Sequence, residues 1–297
     1  MNKEIINEAI SCLNTDGYYK TSVYEVFSNQ ELDMFQENKK FFDEMLNSSQ
    51  IKNQMQKIET NPSVRLSVTG GKPFEIVHNE YLKGPLTLNN SQFIKIYTSD
   101  FFDKISQEFL ATEEPKIFNV LAWIHYWKES YGRLHSQNWH RDREDYKIMK
   151  AFIYYSDVSE NDGPFEYVPK SFCGGDFYGL YSDRSGYWDY TPDKSQNTGL
   201  PKSQTEIQVC DSTFVSLTGK EGDIILANNT GFHRGGFVKN GIRMCSHALF
   251  LHPDAHMIKN ENYFSNFNYA KETVNFIDFE SEEFIKLDKK QKFFKSE

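Results

Sequence analysis

The sequence predicts a mainly β protein, a sandwich or small barrel, with helices ahead of it. Three observations carry this. From Ile117 onward, short apolar and aromatic runs recur at close intervals. Clusters of Gly, Asn, Asp and Pro separate them, which is the punctuation of short antiparallel strands. Residues 1–116 instead carry apolar side chains at helical spacing.

The elements follow in order. Leu32, Phe35, Phe42, Met45 and Leu46 fall at the i, i+3, i+4 spacing of one helix face, which predicts a helix over 29–46. Ser99-Asp100 opens a second such pattern with Phe101, Phe102, Ile105, Phe109 and Leu110, and Ser99 is suited to cap it. Residues 61–90 mix Gly, Pro and short apolar runs and read as loop with a candidate hairpin. Ile117 to Trp127 is apolar, aromatic and strand-like. Further strands are expected at 151–158, 164–169, 213–217, 223–228, 232–238 and 243–251. The turns between them include Asn161-Asp-Gly-Pro164, Gly219-Lys-Glu-Gly222, Asn228-Asn-Thr-Gly231 and Asn240-Gly241. Residues 173–212 break the rhythm. Rich in Gly, Tyr, Asp and Ser, they read as an insertion acting as a lid or binding loop. The tail, 253–297, is Phe-rich and then charged, and Ser281 to Phe294 fits a terminal helix. No repeat and no convincing linker divides the chain. We therefore expect one domain over 1–297: a mainly helical part (1–116), a β core (117–252) holding the 173–212 insertion, and a C-terminal extension (253–297).

Composition narrows the function. A chain of 297 residues buries a large core without needing disulfide or metal staples. Thirty-three basic against forty-two acidic residues leave a net charge of −9, so the basic footprint of a nucleic-acid binder is missing. The longest apolar runs are about five residues, far short of the ~20 of a spanning helix, and no basic-then-apolar leader opens the sequence. Cys12, Cys173, Cys210 and Cys245 are scattered, with no C-x-x-C pair. That suits free thiols in a reducing compartment. The expected setting is cytoplasmic, with a small molecule as partner and neither nucleic acid nor membrane.

One local feature concentrates the chemistry: Trp139-His140-Arg141-Asp142. On an extended chain, residues i and i+2 project from one face, so His140 and Asp142 can reach a single metal ion. His233, in Gly231-Phe-His-Arg-Gly-Gly236, lies ninety-three residues further on, on an expected strand after a tight turn. Two imidazoles and one carboxylate on one side of a metal leave the other positions open, the arrangement of non-haem Fe(II) oxygenases. Arg243 stands ten residues beyond His233, and a guanidinium there suits two parallel hydrogen bonds to a carboxylate. Taken alone, an H-x-D pair is equally well explained by ordinary packing. The look-alike His78-Asn79-Glu80 lies in a polar stretch before the strand run and lacks a downstream partner. The joint order of H-x-D, Gly-Pro hairpin, Gly-Asp strand, histidine and arginine is what favours a site.

In these motifs the chain resembles the phytanoyl-CoA dioxygenase (PhyH-like) group of Fe(II)/2-oxoglutarate-dependent oxygenases. The resemblance covers about residues 117–252. It rests on Trp139-His-Arg-Asp142, Lys150-Ala-Phe-Ile-Tyr-Tyr-Ser-Asp-Val158, Gly163-Pro-Phe-Glu-Tyr-Val-Pro169, Gly222-Asp-Ile-Ile-Leu226, His233-Arg-Gly-Gly236 and Arg243. It implies a double-stranded β-helix (jelly-roll, cupin-like) core with the N-terminal helices packed on its major sheet. It implies Fe(II) on His140, Asp142 and His233, with 2-oxoglutarate chelating the metal and its far carboxylate on Arg243. It further implies O2 as co-substrate and oxidation of a small molecule's C–H bond, with release of succinate and CO2. Trp139, Tyr126, Trp127 and Lys150 lie where they would line the co-substrate pocket, against the alternative of plain core. Asp145, Glu144 and His247 are candidates to orient the imidazoles, with His247 on the same strand face as Arg243. Arg234 should point away from the metal. Tyr178, Tyr181, Arg184, Tyr187, Trp188 and Tyr190 make the insertion a candidate cover for the barrel mouth.

Two departures stand out. Phe172 replaces the family's Pro-Gly-Ser-His histidine. Cys245 occupies the position two after the arginine, where many relatives have Ser, and Ser246 should face the other way. Asp142 is kept, whereas halogenases of related fold have a small residue there, so hydroxylation is favoured. The alternatives are a cupin-like metalloenzyme that does not use 2-oxoglutarate and a non-catalytic binding protein on the same fold. Arg243 and the complete ligand set tell against both.

Overall fold

Two antiparallel sheets face each other across a cavity, and helices cover the outer side of the larger one. The computed structural model describes residues 3–60, 74–75, 93, 95–128, 139–142, 144–178, 209–236 and 238–255. The helical part comprises α1 (Lys3–Thr15), α2 (Val23–Val26), α3 (Asn29–Asn47), α4 (Ser49–Thr60) and α5 (Asp100–Leu110). Between them lie the short strands β1 (Tyr18–Ser22) and β2 (Phe74–Glu75). The β part comprises β3 (Lys116–Lys128), β4 (Met149–Tyr154), β5 (Phe165–Tyr167), β6 (Val215–Leu217), β7 (Asp223–Asn228), β8 (His233–Gly235) and β9 (Asn240–Leu251).

The large sheet has the order β1-β7-β4-β9-β3-β2, and the small sheet β6-β5-β8. His140 adds to the small sheet through an antiparallel bridge to His233. The chain thus passes from the large sheet (β3) to the small one (His140) and back to β4. It then crosses to β5 and β6, returns at β7, crosses to β8 and ends on β9. This shuttling makes the jelly-roll double-stranded β-helix, mainly β with flanking helices. The central strand β9 pairs with β3 on one side, Arg243 opposite His125, and with β4 on the other, His247 opposite Phe152.

The helices form where their sequence permits. Ser28 and Glu31 make a reciprocal capping box at the start of α3. The second Glu31 carboxylate oxygen accepts from the Asp100 amide at 3.0 Å, tying α3 to the start of α5. Ser99 caps α5, its side chain accepting from the Phe102 amide. The apolar faces of these helices meet the outer face of the large sheet. Phe35 stacks on Tyr155 at 5.2 Å, and Phe42 and Phe93 pack on the same ring at 4.8 and 5.9 Å. One continuous apolar cluster joins α1, α3 and α5 to β4, β7 and β9.

Tyr18–Ser22 departs from the expected helical N-terminal part. It is an edge strand paired with β7 in register, Tyr18 opposite Ala227 and Ser22 opposite Asp223. Tyr-Tyr-Lys-Thr-Ser is too short to show a period, so its partner strand decides its conformation. The look-alike at His78, the 61–73 and 76–92 loop segments, the insertion from 179 to 208 and the tail from 256 onward lie outside the described residues. No helix among the described residues is long and apolar enough to cross a membrane.

Candidate metal centre and its cavity

Backbone pairing places the first two candidate ligands. His140 and His233 exchange two main-chain hydrogen bonds, each 2.9 Å, and the Asp142 amide donates to Asn229 O at 2.9 Å. The turn Asn228–Gly231 joins β7 to β8 and delivers His233. The Asn228 side chain braces it by accepting from Thr230 Oγ1 at 2.9 Å. Gly231 has to be glycine: a Cβ there would sit 1.9 Å from the Tyr167 hydroxyl oxygen, which donates to Asn228 O at 2.8 Å.

His140, Asp142 and His233 are all buried, and one ligand atom from each lies within 4.8 Å of the others. Asp142 Oδ1 is 3.7 Å from Nε2 of each imidazole. His233 Nδ1 lies 2.8 Å from the Gly231 carbonyl, which can only accept, so Nδ1 carries the proton and Nε2 keeps its lone pair. Burial first, and then neighbouring His140, lowers the His233 pKa to about 3, so the ring is neutral at working pH. Burial opposes ionisation of Asp142. Lys150 foremost, then the two imidazoles and the Asn229 amide, overcome it and hold the carboxyl well below the usual range. Two imidazoles, at least one a neutral Nε2 donor, and one carboxylate oxygen facing one point fit a divalent first-row metal.

The two imidazoles line part of the cavity between the sheets, with Asp142 beside them. β3 contributes Trp123 and His125, β4 contributes Lys150, Phe152 and Tyr154, and β9 contributes Arg243, Cys245 and His247. Phe165 and His233 close it from the small sheet. Arg243 is buried and donates from Nη2 to His125 Nδ1. Its Nε has no hydrogen-bond partner among the described residues, and none of their carboxylates is within ion-pair distance of it. A buried guanidinium in that condition suits an anion.

The other residues singled out from sequence separate. Lys150 lines the cavity, with Nζ 3.0 Å from Asp142 Oδ2. His247 also lines it, its ring edge-on to Trp123 at 4.6 Å. Trp139 does not. Its neighbour His140 faces inward, so Trp139 turns outward to stack on Phe232 at 5.6 Å, with the Arg234 guanidinium over its ring at 4.3 Å. Tyr126 does not either. It follows the cavity-lining His125 on β3, so pleating sends it to the opposite face, where it packs on the apolar cluster. The orienting partner of His233 is a backbone carbonyl rather than Glu144, Asp145 or His247. Arg234 points away from the ligands and pairs with Glu166. Ser246 faces the helices and bonds Tyr97 at 2.7 Å. Of the insertion aromatics, Tyr178 lies under the Arg141 guanidinium at 4.6 Å, and the others fall outside the described residues.

Among the site residues that escaped sequence reading, Trp123, His125 and Asn229 matter most. Trp123 and His125 sit inside a strand with apolar and aromatic residues on both faces, where only the register with Arg243 reveals their side. Asn229 reads as turn composition, yet its amide donates to Asp142 Oδ2 at 2.7 Å and lies 3.1 Å from His233 Nε2.

No protein-family model and no curated protein sequence matches the chain. Solved structures do. The crystal structure of SnoN, a non-heme alpha ketoglutarate dependent epimerase from nogalamycin biosynthesis, superposes with a TM-score of 0.51. The two are 12% identical over 86% of this chain and 83% of that one. SnoN in complex with Fe3+, alpha ketoglutarate and nogalamycin RO gives 0.50, at 11% identity over 86% of each chain. At such identity the likeness is one of fold.

Proposed function

We propose that the protein is a PhyH-like Fe(II)/2-oxoglutarate-dependent dioxygenase that oxidises, by hydroxylation, a C–H bond of a small molecule. One observation carries this reading. The three candidate ligands cluster together, and two of them, His140 and His233, line a cavity that also holds a buried arginine with no carboxylate partner among the described residues. His140, Asp142 and His233 would hold the iron. Arg243, steadied by His125, would take the far carboxylate of 2-oxoglutarate through charge-assisted hydrogen bonds. Bound there with O2, these groups supply the oxidising power for C–H cleavage, with succinate and CO2 as co-products. The chain's own contribution is orientation and exclusion of water, for which Trp123, Phe152 and Phe165 form the apolar part of the wall. SnoN, which shares the fold, is described as alpha ketoglutarate dependent and has been seen with Fe3+ and alpha ketoglutarate, which supports the cofactor assignment. The carboxylate at position 142 favours hydroxylation over halogenation.

Anaerobic titration with Fe(II) and 2-oxoglutarate tests the reading. A weak visible charge-transfer band that disappears in His233→Ala is the expected result. Iron binding without the band points to a cupin-like metalloenzyme that does not use 2-oxoglutarate. No iron binding removes the catalytic reading altogether.

A further inference from the structure

We propose that Asn229 is a positioning residue that makes Asp142 a one-oxygen metal ligand, with Lys150 as its second clamp. The inference rests on the metal reading above and goes beyond it. The two Asp142 oxygens have different surroundings. Oδ1 is the atom 3.7 Å from both imidazole Nε2 atoms. Oδ2 accepts from Asn229 Nδ2 at 2.7 Å and from Lys150 Nζ at 3.0 Å. One oxygen faces the ligand cluster and the other is held back by two donors.

The amide is fixed for this task. Asn229 is wholly buried, its backbone N–H donates to Ile148 O at 3.1 Å, and its carbonyl accepts the Asp142 amide at 2.9 Å. Asn229 and Asp142 are thus tied through both main chain and side chain. The orientation of the amide is also determined. Its NH2 meets a carboxylate oxygen and lies 3.1 Å from the His233 lone pair, both acceptors, so exchanging N and O would set acceptor against acceptor. Its Oδ1 has no hydrogen-bond partner among the described residues, so the side chain is placed for its donor end. A single amide spans two of the three ligands and spaces them before an ion arrives.

The coordination arithmetic gives this a purpose. Two imidazoles and a one-oxygen carboxylate leave three positions of an octahedral ion, whereas a carboxylate bound through both oxygens leaves two. Holding Oδ2 away therefore preserves a position for a co-substrate.

Co(II) titration of the apoprotein tests the idea without turnover. Asn229→Leu keeps the volume and removes the donor, and Asn229→Asp keeps the shape and replaces the donor with an acceptor. Both are expected to weaken Co(II) binding about 10–100-fold and to alter the Co(II) absorption spectrum. A role in packing alone would leave the spectrum of Asn229→Asp unchanged. Unaltered affinity and spectrum in both variants, beside a wild type that binds Co(II), overturn this inference and leave the metal centre standing. A wild type that binds no Co(II) overturns the metal centre itself. If neither variant folds, a crystal structure of the wild type with Mn(II) decides. Coordination through Oδ1 alone with Oδ2 on Asn229 supports the proposal, and coordination through both oxygens overturns it.

Discussion

The two faces of β9 make opposite use of one strand. Met244, Ser246, Ala248 and Phe250 look toward the helices, and Arg243, Cys245 and His247 look into the cavity. The helix side is self-sufficient. Its polar members answer one another, Ser246 bonding Tyr97 at 2.7 Å and Tyr155 at 3.3 Å, while Phe250 packs on Phe102. The cavity side gathers a guanidinium and imidazoles in a buried place, where no described carboxylate meets the guanidinium. Arg243 Nε has no hydrogen-bond partner among the described residues, and burying a charge that way is costly to stability, so one face serves folding and the other is shaped to receive an anion.

Substitutions should separate the two faces. The largest effect belongs to the cavity side: Asp142→Ala or His233→Ala should lose Fe(II) binding and turnover while circular dichroism stays native. Full metal affinity in Asp142→Ala would break the ligand assignment. On the helix side, Phe42→Ala removes a buried ring and should cost about 3–5 kcal/mol in denaturant unfolding. Metal affinity of the folded fraction should not change. Arg243→Ala should weaken 2-oxoglutarate about 10–100-fold, the loss of one charge-assisted contact at ~1.5–3 kcal/mol, with iron retained in a metal titration.

Acid should act through the cavity side as well. The folded His233 titrates at about 3 against an ordinary 6.5. Between those values the unfolded chain carries a proton that the folded chain lacks, so apoprotein stability should fall as pH drops from 6.5 toward 3. Asp142, held below its ordinary 3.8, adds its own loss of stability as pH falls below about that value. Thermal melts across this range should show the slope, and His233→Gln should flatten it. The smallest effect belongs to Lys40→Ala on the exposed side of α3, which removes a surface ion pair to Glu44. Stability should shift by no more than ~0.5 kcal/mol, and a change in 2-oxoglutarate binding would show that the two faces communicate.

How far the sequence reaches varies from residue to residue. His140 and Asp142 are legible as candidates because residues i and i+2 of an extended segment suffice to set their common direction. His233 and Arg243 are legible as candidates because turn composition and spacing mark them. Trp139 and Tyr126 mislead, since proximity along the chain to a ligand does not choose a side of the sheet and a shift of one residue reverses it. Asn229 is hidden because its composition already has an explanation as a turn.

The amino-acid order dictates the local choices. Apolar spacing and caps make α3 and α5, and turn residues break the later chain into short strands, because these depend on neighbours within a few residues. Tertiary structure decides everything that depends on pairing between distant segments. Tyr18–Ser22 becomes a strand because β7 offers an edge. His125 meets Arg243 because β3 and β9 adopt one register, and Asn229 reaches Asp142 because a turn after β7 lies against the start of the small sheet. Such contacts join residues tens to more than a hundred positions apart, beyond the reach of any short-range pattern.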